Sequence, residues 1–380
     1  MKTTIKTLIY LFFFSLNLFA NDFTIAYEAY QQKDYPKAKE YYQKACDSGD
    51  ITSCGILGNI YEKESNFEKA FSLYDKSCKG SFFLACNSLG SLYENGKGVE
   101  KSFDKAVELY SKTCDNAEIR GCSQIAIMYK YGQGFKQNYT KAYEFFEKGC
   151  SLEDGFSCNE LGNMSYSGVG VKKDLIKASE FHSKACDNGF LDSCLQLGNM
   201  YYNGEGVKQD FSKSKELFTK LCDKGDAKGC YNIGYIYENG SGIKKDLIKA
   251  SEFYDKSCNS GYSKGCLQCG YDYFLSEKYE KAKELYEKAL NLGNNRAFFN
   301  LGYLYENGFG IKQDYSKAKE LYEKSCESND MKGCFYLGKL YQSGYGSTNY
   351  YIKAKEFYKK ACDGKYEEGC KNLDLMNNKN

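Results

Sequence analysis

The apolar positions of this chain recur at helical spacing. Leu57, Gly58 and Tyr61 follow Cys54 by three, four and seven residues, and Leu197, Gly198 and Tyr201 follow Cys194 in the same way. Spacings of three, four and seven mark one face of an α-helix. A second helical pattern leads up to a cysteine. An aromatic ring such as Tyr42, Tyr74, Tyr110, Phe146, Phe218, Tyr254 or Tyr322 stands four positions before it, and a small residue stands eight before it: Ala38, Ala70, Ala106, Ala142, Ala178, Ser214, Ala250, Ala282, Ala318 and Ala354. A lysine precedes every one of these small residues. The two patterns are joined by a glycine loop, as in Asn95-Gly96-Lys97-Gly98-Val99 and Asn239-Gly240-Ser241-Gly242-Ile243. Glycine there supplies the positive φ that ends a helix, and Asp174, Asp210, Asp246 and Asp314 then stand where an N-cap is needed. Two connections, Glu62–Asn66 and Phe274–Lys278, lack the glycine loop and are shorter.

The cysteines set the period. Of 19, eighteen fall into pairs eight residues apart: Cys46/Cys54, Cys78/Cys86, Cys114/Cys122, Cys150/Cys158, Cys186/Cys194, Cys222/Cys230, Cys258/Cys266, Cys326/Cys334 and Cys362/Cys370. The units are 36 residues long, or 32 where the glycine loop is missing, and one further unit holds Leu290 and Phe298 at its pair positions. Residues 22–45 supply an opening hairpin with Pro36 at the start of its second helix, and residues 371–377 read as a frayed cap. A helical hairpin cannot cover its own apolar stripe, whereas stacked neighbours can. The reading is therefore all-α: a right-handed α/α superhelical solenoid of about ten hairpins forming one array over residues 21–380.

The unit C-x-x-L-G-x-x-Y-x-x-G-x-G-V-x-x-D-x-x-K-A-x-x-x-Y-x-K-x-C resembles the Sel1-like repeat, a relative of the tetratricopeptide repeat, over about residues 23–373. With its C-x7-C pairs and the N-terminal segment described below, the chain is similar to the Helicobacter cysteine-rich protein family. That resemblance implies a secreted solenoid. Members carry the name β-lactamase, so it also implies slow penicillin binding and hydrolysis as an alternative activity. The chain departs from the pattern at Leu290 and Phe298, at Ile125-Ala126 in place of Leu-Gly, and at Ser165 in place of Tyr.

Each first cysteine ends a helix and each second one begins the next across a short turn, so the eighteen are read as nine structural disulfides. Zinc is the rival, but a spacing of seven intervening residues is not a zinc-ligand spacing and no histidine assists. Cys269 is left over. With Cys266 it spells C-L-Q-C, like a redox pair, yet it occupies the recurrent leucine position and is read as a buried thiol. His182, the single histidine, takes the aromatic slot of its helix and is read as a packing ring rather than a general base. S-x-x-K occurs at Ser102/Lys105, Ser212/Lys215 and Ser316/Lys319, without S-D-N or K-T-G. No catalytic residue is assigned, and no cofactor or metal is implied.

Five positions after the second cysteine stand Asn59, Asn163, Asn199, Tyr235, Tyr271 and Tyr303. This slot faces away from the Leu-Gly-Tyr stripe. In related solenoids the first helix lines the concave surface, so Asn163, Asn199, Tyr235, Tyr271 and Tyr303 are the candidate ligand-binding residues; Tyr and Asn suit adaptable recognition. A peptide, a protein or a peptidoglycan-like fragment fits such a face, and β-lactams enter by resemblance alone. The formal net charge of +2 leaves no basic excess for nucleic acid or anionic lipid as the main partner. Residues 1–20 have Lys2 and Lys6, an apolar run from Leu8 to Leu16 and a terminal Ala20, the layout of a signal peptide. No later stretch is long enough to span a membrane. The expectation is a monomeric, secreted or periplasmic protein in an oxidising compartment.

Overall fold

The computed structural model describes residues 22–344 and 350–378; the targeting segment 1–20 lies outside them. The described residues form α-helices and no strand. First helices of the hairpins run over 22–31, Ile51–Lys63, Phe83–Asn95, Ile119–Tyr131, Gly155–Ser167, Leu191–Asn203, Ala227–Asn239, Ser263–Leu275, Ala297–Asn307 and Met331–Gln342. Second helices alternate with them, from Tyr35–Asp47 to Tyr350–Asp363, and Glu367–Asn377 closes the series. The chain divides into two compact units, Met1–Ser193 with Glu205–Val207, and Cys194–Gly204 with Lys208–Asn380. Each is an α/α solenoid of stacked hairpins, as the repeat pattern predicts. Within a unit helices pack on their sequence neighbours, and first helices also touch across repeats, Ile51–Lys63 with Phe83–Asn95 and Ala227–Asn239 with Ser263–Leu275.

One contact explains why glycine and an aromatic ring recur together. In most hairpins the ring of the second helix lies against the glycine of the first, while the Phe146 hairpin has Ala126 in that place. A Cβ on Gly58 would stand 2.8 Å from the Tyr74 ring, and one on Gly90, Gly234 or Gly302 would stand 2.7 Å from Tyr110, Tyr254 or Tyr322. Real Cβ atoms do not come so close, so a side chain at these glycines would force the ring to shift. The rings and the small residues Ala70, Ala106, Ala250 and Ala318 are buried. The recurrent lysine also has a partner. Its ammonium lies over the tyrosine seven places after the second cysteine: Lys69 over Tyr61 at 5.0 Å, Lys105 over Tyr93 at 4.9 Å, Lys141 over Tyr129 and Lys213 over Tyr201 at 5.1 Å. Those tyrosines are half-buried, their outer faces roofed by a cation.

The connections follow the turn chemistry. Asp174, Asp210, Asp246 and Asp314 cap their helices by accepting backbone N–H bonds, with Asn66, Ser102 and Asn138 doing the same elsewhere. Gly98 has φ of +68°, and a side chain there would overlap the Phe67 carbonyl of the preceding hairpin.

Cys46–Cys54, Cys78–Cys86, Cys114–Cys122, Cys150–Cys158, Cys222–Cys230, Cys258–Cys266, Cys326–Cys334 and Cys362–Cys370 are disulfides, with Cα atoms 4.4 to 4.8 Å apart. Cys186 and Cys194 are disulfide-bonded as well. Each bridge closes a loop worth on the order of 2.5 kcal/mol by the chain-entropy argument. Leu290 and Phe298 instead join the apolar core around Tyr286 and Leu301. Residues 371–377, expected as a frayed cap, continue the last helix. Met376 is buried, and the Tyr351 hydroxyl donates to its carbonyl at 2.6 Å.

Candidate functional site

On each first helix, residues one, two and five places after the second cysteine share a face, because they lie one helical turn apart. That face is where the ligand slot was expected, and the two units dress it differently. In the first unit Asn59 and Asn163 are exposed. Beside them Lys130 makes a close ion pair with Glu160 across two first helices.

In the second unit the face is aromatic. Tyr235 and Tyr271 are 43% and 46% exposed. Asn199 is half-buried and accepts a 3.3 Å hydrogen bond from Asn232 Nδ2. Tyr235 packs on Tyr202, ring centroids 6.0 Å apart. Tyr303 does not stand alone in solvent: its ring meets Phe274, Phe299, Phe309 and Tyr336 at about 6 Å. Tyr336 in turn lies 5.0 Å from Phe299 and 5.4 Å from Phe335. Repeat columns one and two places after the cysteine thus supply Tyr231, Phe299, Phe335 and Tyr336, which the reading of the fifth column alone missed. Their signal was present in the sequence as a run of aromatic residues in those two columns.

The polar groups singled out in the sequence take structural roles. The His182 ring sits on Gly162 in the ordinary aromatic slot and is 2% exposed. Its Nδ1 lies 3.3 Å from Ser193 Oγ, which donates to Asn159 Oδ1 at 2.8 Å. This resembles a nucleophile–base pair, but Ser193 is 0% exposed and no substrate atom can reach it. Burial pushes the imidazole pKa down to about 4, so the ring is neutral at physiological pH. Cys269 is buried without a disulfide. Burial first, then Asp255 and Asp272, push its pKa up to about 12, which keeps it a protonated thiol; Cys266 is already bonded to Cys258. Of the S-x-x-K serines, Ser102 is spent as a helix cap, its Oγ accepting from Lys105 N at 3.4 Å. Ser212 and Ser316 line shallow surface clefts on two different helices.

Ten segments match the family model described as Sel1 repeat, at residues 28–50, 57–82, 84–117, 119–154, 155–190, 191–226, 227–262, 266–294, 296–330 and 332–366. The chain belongs to the Sel1 repeat family. No curated protein matches it in sequence. Among solved structures it is similar to a protective antigen of uropathogenic Escherichia coli displaying an SLR fold, with 25% identity, TM-score 0.60, and coverage of 95% of this chain and 88% of that one. A Sel1 repeat protein from Oxalobacter formigenes is 23% identical with TM-score 0.64, over 79% of this chain and 89% of that one. Helicobacter pylori cysteine rich protein B is 34% identical over 34% of this chain and 93% of that one, with TM-score 0.29. The segment 266–294 of the Sel1 series contains Cys269 and the cysteine-free Leu290, so the family pattern persists where the staple is lost.

Proposed function

We propose that this Sel1 repeat protein is an exported binding scaffold whose first-helix face holds an extended peptide segment of a partner protein. The observation that carries the reading is the aromatic surface of the second unit. Exposed Tyr235 and Tyr271 flank a cluster in which Tyr303 and Tyr336 pack against Phe299. Rigid rings with polar tips give contact area at low entropic cost. Asn199, in the same column of the second unit, offers an amide that can pair with a peptide backbone, and Asn163 offers one on the first unit. Export is supported by the layout of residues 1–20 and by the many disulfides, which persist in oxidising compartments. No described helix is long and apolar enough to cross a membrane.

The test is a peptide array and a set of peptidoglycan fragments probed with the oxidised protein, followed by titration of each hit against Tyr235→Ala/Tyr271→Ala. Both side chains stand outside the buried core, so the variant keeps its fold. The reading expects hits among peptides that weaken at least tenfold in the variant. Hits confined to glycan fragments would reassign the ligand class. Peptide hits that bind the variant with unchanged affinity would move the site off this face.

A further inference from the structure

The first-helix face carries a cavity at the start of the first unit, where the sequence pattern gave no warning of one. It has a volume of about 300 Å³ and is walled by Tyr27, Tyr30, Tyr42 and Phe82, with Asn59 and Arg120 at its polar side. One residue shapes its wall. The position after the second cysteine holds a side chain in later repeats, as in Asn159, Tyr231 and Phe299, but in this repeat it is Gly55. The Phe82 ring leans into the space left behind, 2.7 Å from where a Cβ of Gly55 would be. The volume lies at the lower end of small-ligand sites, about 300–1,000 Å³, and suits one ring rather than a length of chain.

The charge of the wall decides what enters. Arg120 is the single charged residue lining the cavity; two of its wall hydroxyls also meet charged groups, Tyr74 donating to Glu62 and Tyr30 accepting from Lys63, so the cations outnumber the carboxylate. The Arg120 side chain is exposed and forms none of the ion pairs found among the described residues. A guanidinium outside any ion pair and beside an aromatic wall favours a planar anion that it can grip with two parallel N–H bonds. The tyrosine hydroxyls converge on the same space. Burial, then the nearby hydroxyls of Tyr30 and Tyr27, raise the Tyr42 pKa, so the Tyr42 hydroxyl stays neutral.

We propose that this cavity is a binding site for a small aromatic carboxylate, with its ring between Tyr27, Tyr42 and Phe82, its carboxylate on Arg120, and Asn59 or Tyr30 completing the hydrogen bonds. The site stands whether or not the wider face binds peptides, because it uses neither Tyr235 nor Tyr271.

The experiment titrates the oxidised full chain by NMR or calorimetry with 3-phenylpropionate, 3-phenylpropionamide and propionate. The aromatic acid should bind at least tenfold more tightly than the amide and than propionate. Arg120→Gln should weaken the acid about tenfold and make acid and amide equal, with an unchanged melting temperature. Ser88→Trp, which places an indole in the cavity lined by Ser88, should abolish binding of all three probes. Equal affinity for acid and amide in the native protein would overturn the proposal, as would an Arg120→Gln variant that binds the acid normally. Absence of binding by any probe up to its solubility would overturn it too.

Discussion

The hydroxyl of Tyr322 donates to Glu306 Oε2 at 2.6 Å, tying the second helix of its hairpin to the end of the first. The same bond runs from Tyr74 to Glu62 at 2.7 Å, Tyr110 to Glu94 at 2.8 Å and Tyr254 to Glu238 at 2.5 Å, with Gln342 accepting from Tyr358 at 2.7 Å. Where the ring is Phe146, His182 or Phe218, the matching position holds Lys130, Tyr166 or Tyr202. The acceptor is therefore absent where the ring has no hydroxyl to offer, and at Tyr286 the matching position is Phe274. An unmet buried hydroxyl costs about 1–3 kcal/mol, whereas removing both partners is far cheaper. Glu306→Leu should lower stability by about 1–2 kcal/mol, and Tyr322→Phe in the same background should recover part of the loss. Urea unfolding with disulfides intact measures both, and additive losses would show that the two residues do not act as a pair.

Asp272 sits in a core column. The equivalent residues Ile60, Leu92, Met128, Met164, Ile236, Leu304 and Leu340 are apolar and buried. Burial, with a smaller push from Glu238, raises the Asp272 pKa from 3.8 to about 6, while hydrogen bonds from Ser251 and Gln268 oppose the rise. A carboxyl with a raised folded pKa binds its proton more tightly in the folded state. Its penalty is therefore absent below pH 3.8, grows as pH rises toward 6, and is constant above. Asp272→Leu should stabilise the protein by about 1–2 kcal/mol at pH 7.5, a figure discounted because the group is only half-buried. The gain should shrink when thermal unfolding is repeated at pH 4, and a gain of equal size at both pH values would refute the titration.

Most of the fold was legible because each repeat restates it. The columns for Leu57, Gly58 and Tyr74 recur, so a helical period too weak to trust once becomes decisive when copied. The cysteine pairs followed from the same register, and Leu290 and Phe298 were recognised as their apolar replacements. The site was less legible for the opposite reason: it is made by departures from the repeat. Gly55 makes room for the Phe82 ring that walls the cavity, and Arg120 comes from a repeat further along the chain. Tyr27 and Tyr30 lie in an opening helix that carries no cysteine to mark its register. The lysine before each small residue was visible as a column, but only the packed hairpin shows its ammonium over a tyrosine ring.

Ala117 occupies the turn between two helices with φ of +60°. Other repeats place glycine there: Gly49, Gly189, Gly225 and Gly261 have positive φ with no atom within 4 Å of a built Cβ. Glycine is thus favoured by backbone angle alone, not by crowding. An L-residue in the left-handed region is strained by about 1–2 kcal/mol, and the added freedom of glycine in the unfolded chain returns up to about 1 kcal/mol of that. Ala117→Gly should stabilise by about 0.5–1 kcal/mol, and Gly225→Ala should destabilise by a similar amount. Thermal unfolding of the two variants checks the pair, and shifts of the same sign would remove φ as the cause.

Leu290 and Phe298 mark the hairpin without a staple, and its geometry differs where the bridge would be. Elsewhere the first helix begins three residues before the second cysteine, as at Ile51 before Cys54 and Met331 before Cys334. Here the helix begins at Ala297, one residue before Phe298, and Asn295 and Arg296 form a turn. A disulfide at this junction holds the incoming chain against the outgoing helix, so its absence leaves the first turn unwound. Leu290→Cys/Phe298→Cys should oxidise spontaneously, giving a mass two hydrogens below the dithiol. It should also extend the helix toward Asn295, seen as slower amide exchange at Ala297 and Phe298. The oxidised form should exceed its own reduced form by about 2–3 kcal/mol, the usual gain for a loop of this length. The comparison with its own reduced state removes the cost of losing the two apolar side chains. A bridge that forms without slowing exchange would show that the late start of this helix has another cause, such as the local sequence Asn294-Asn295-Arg296.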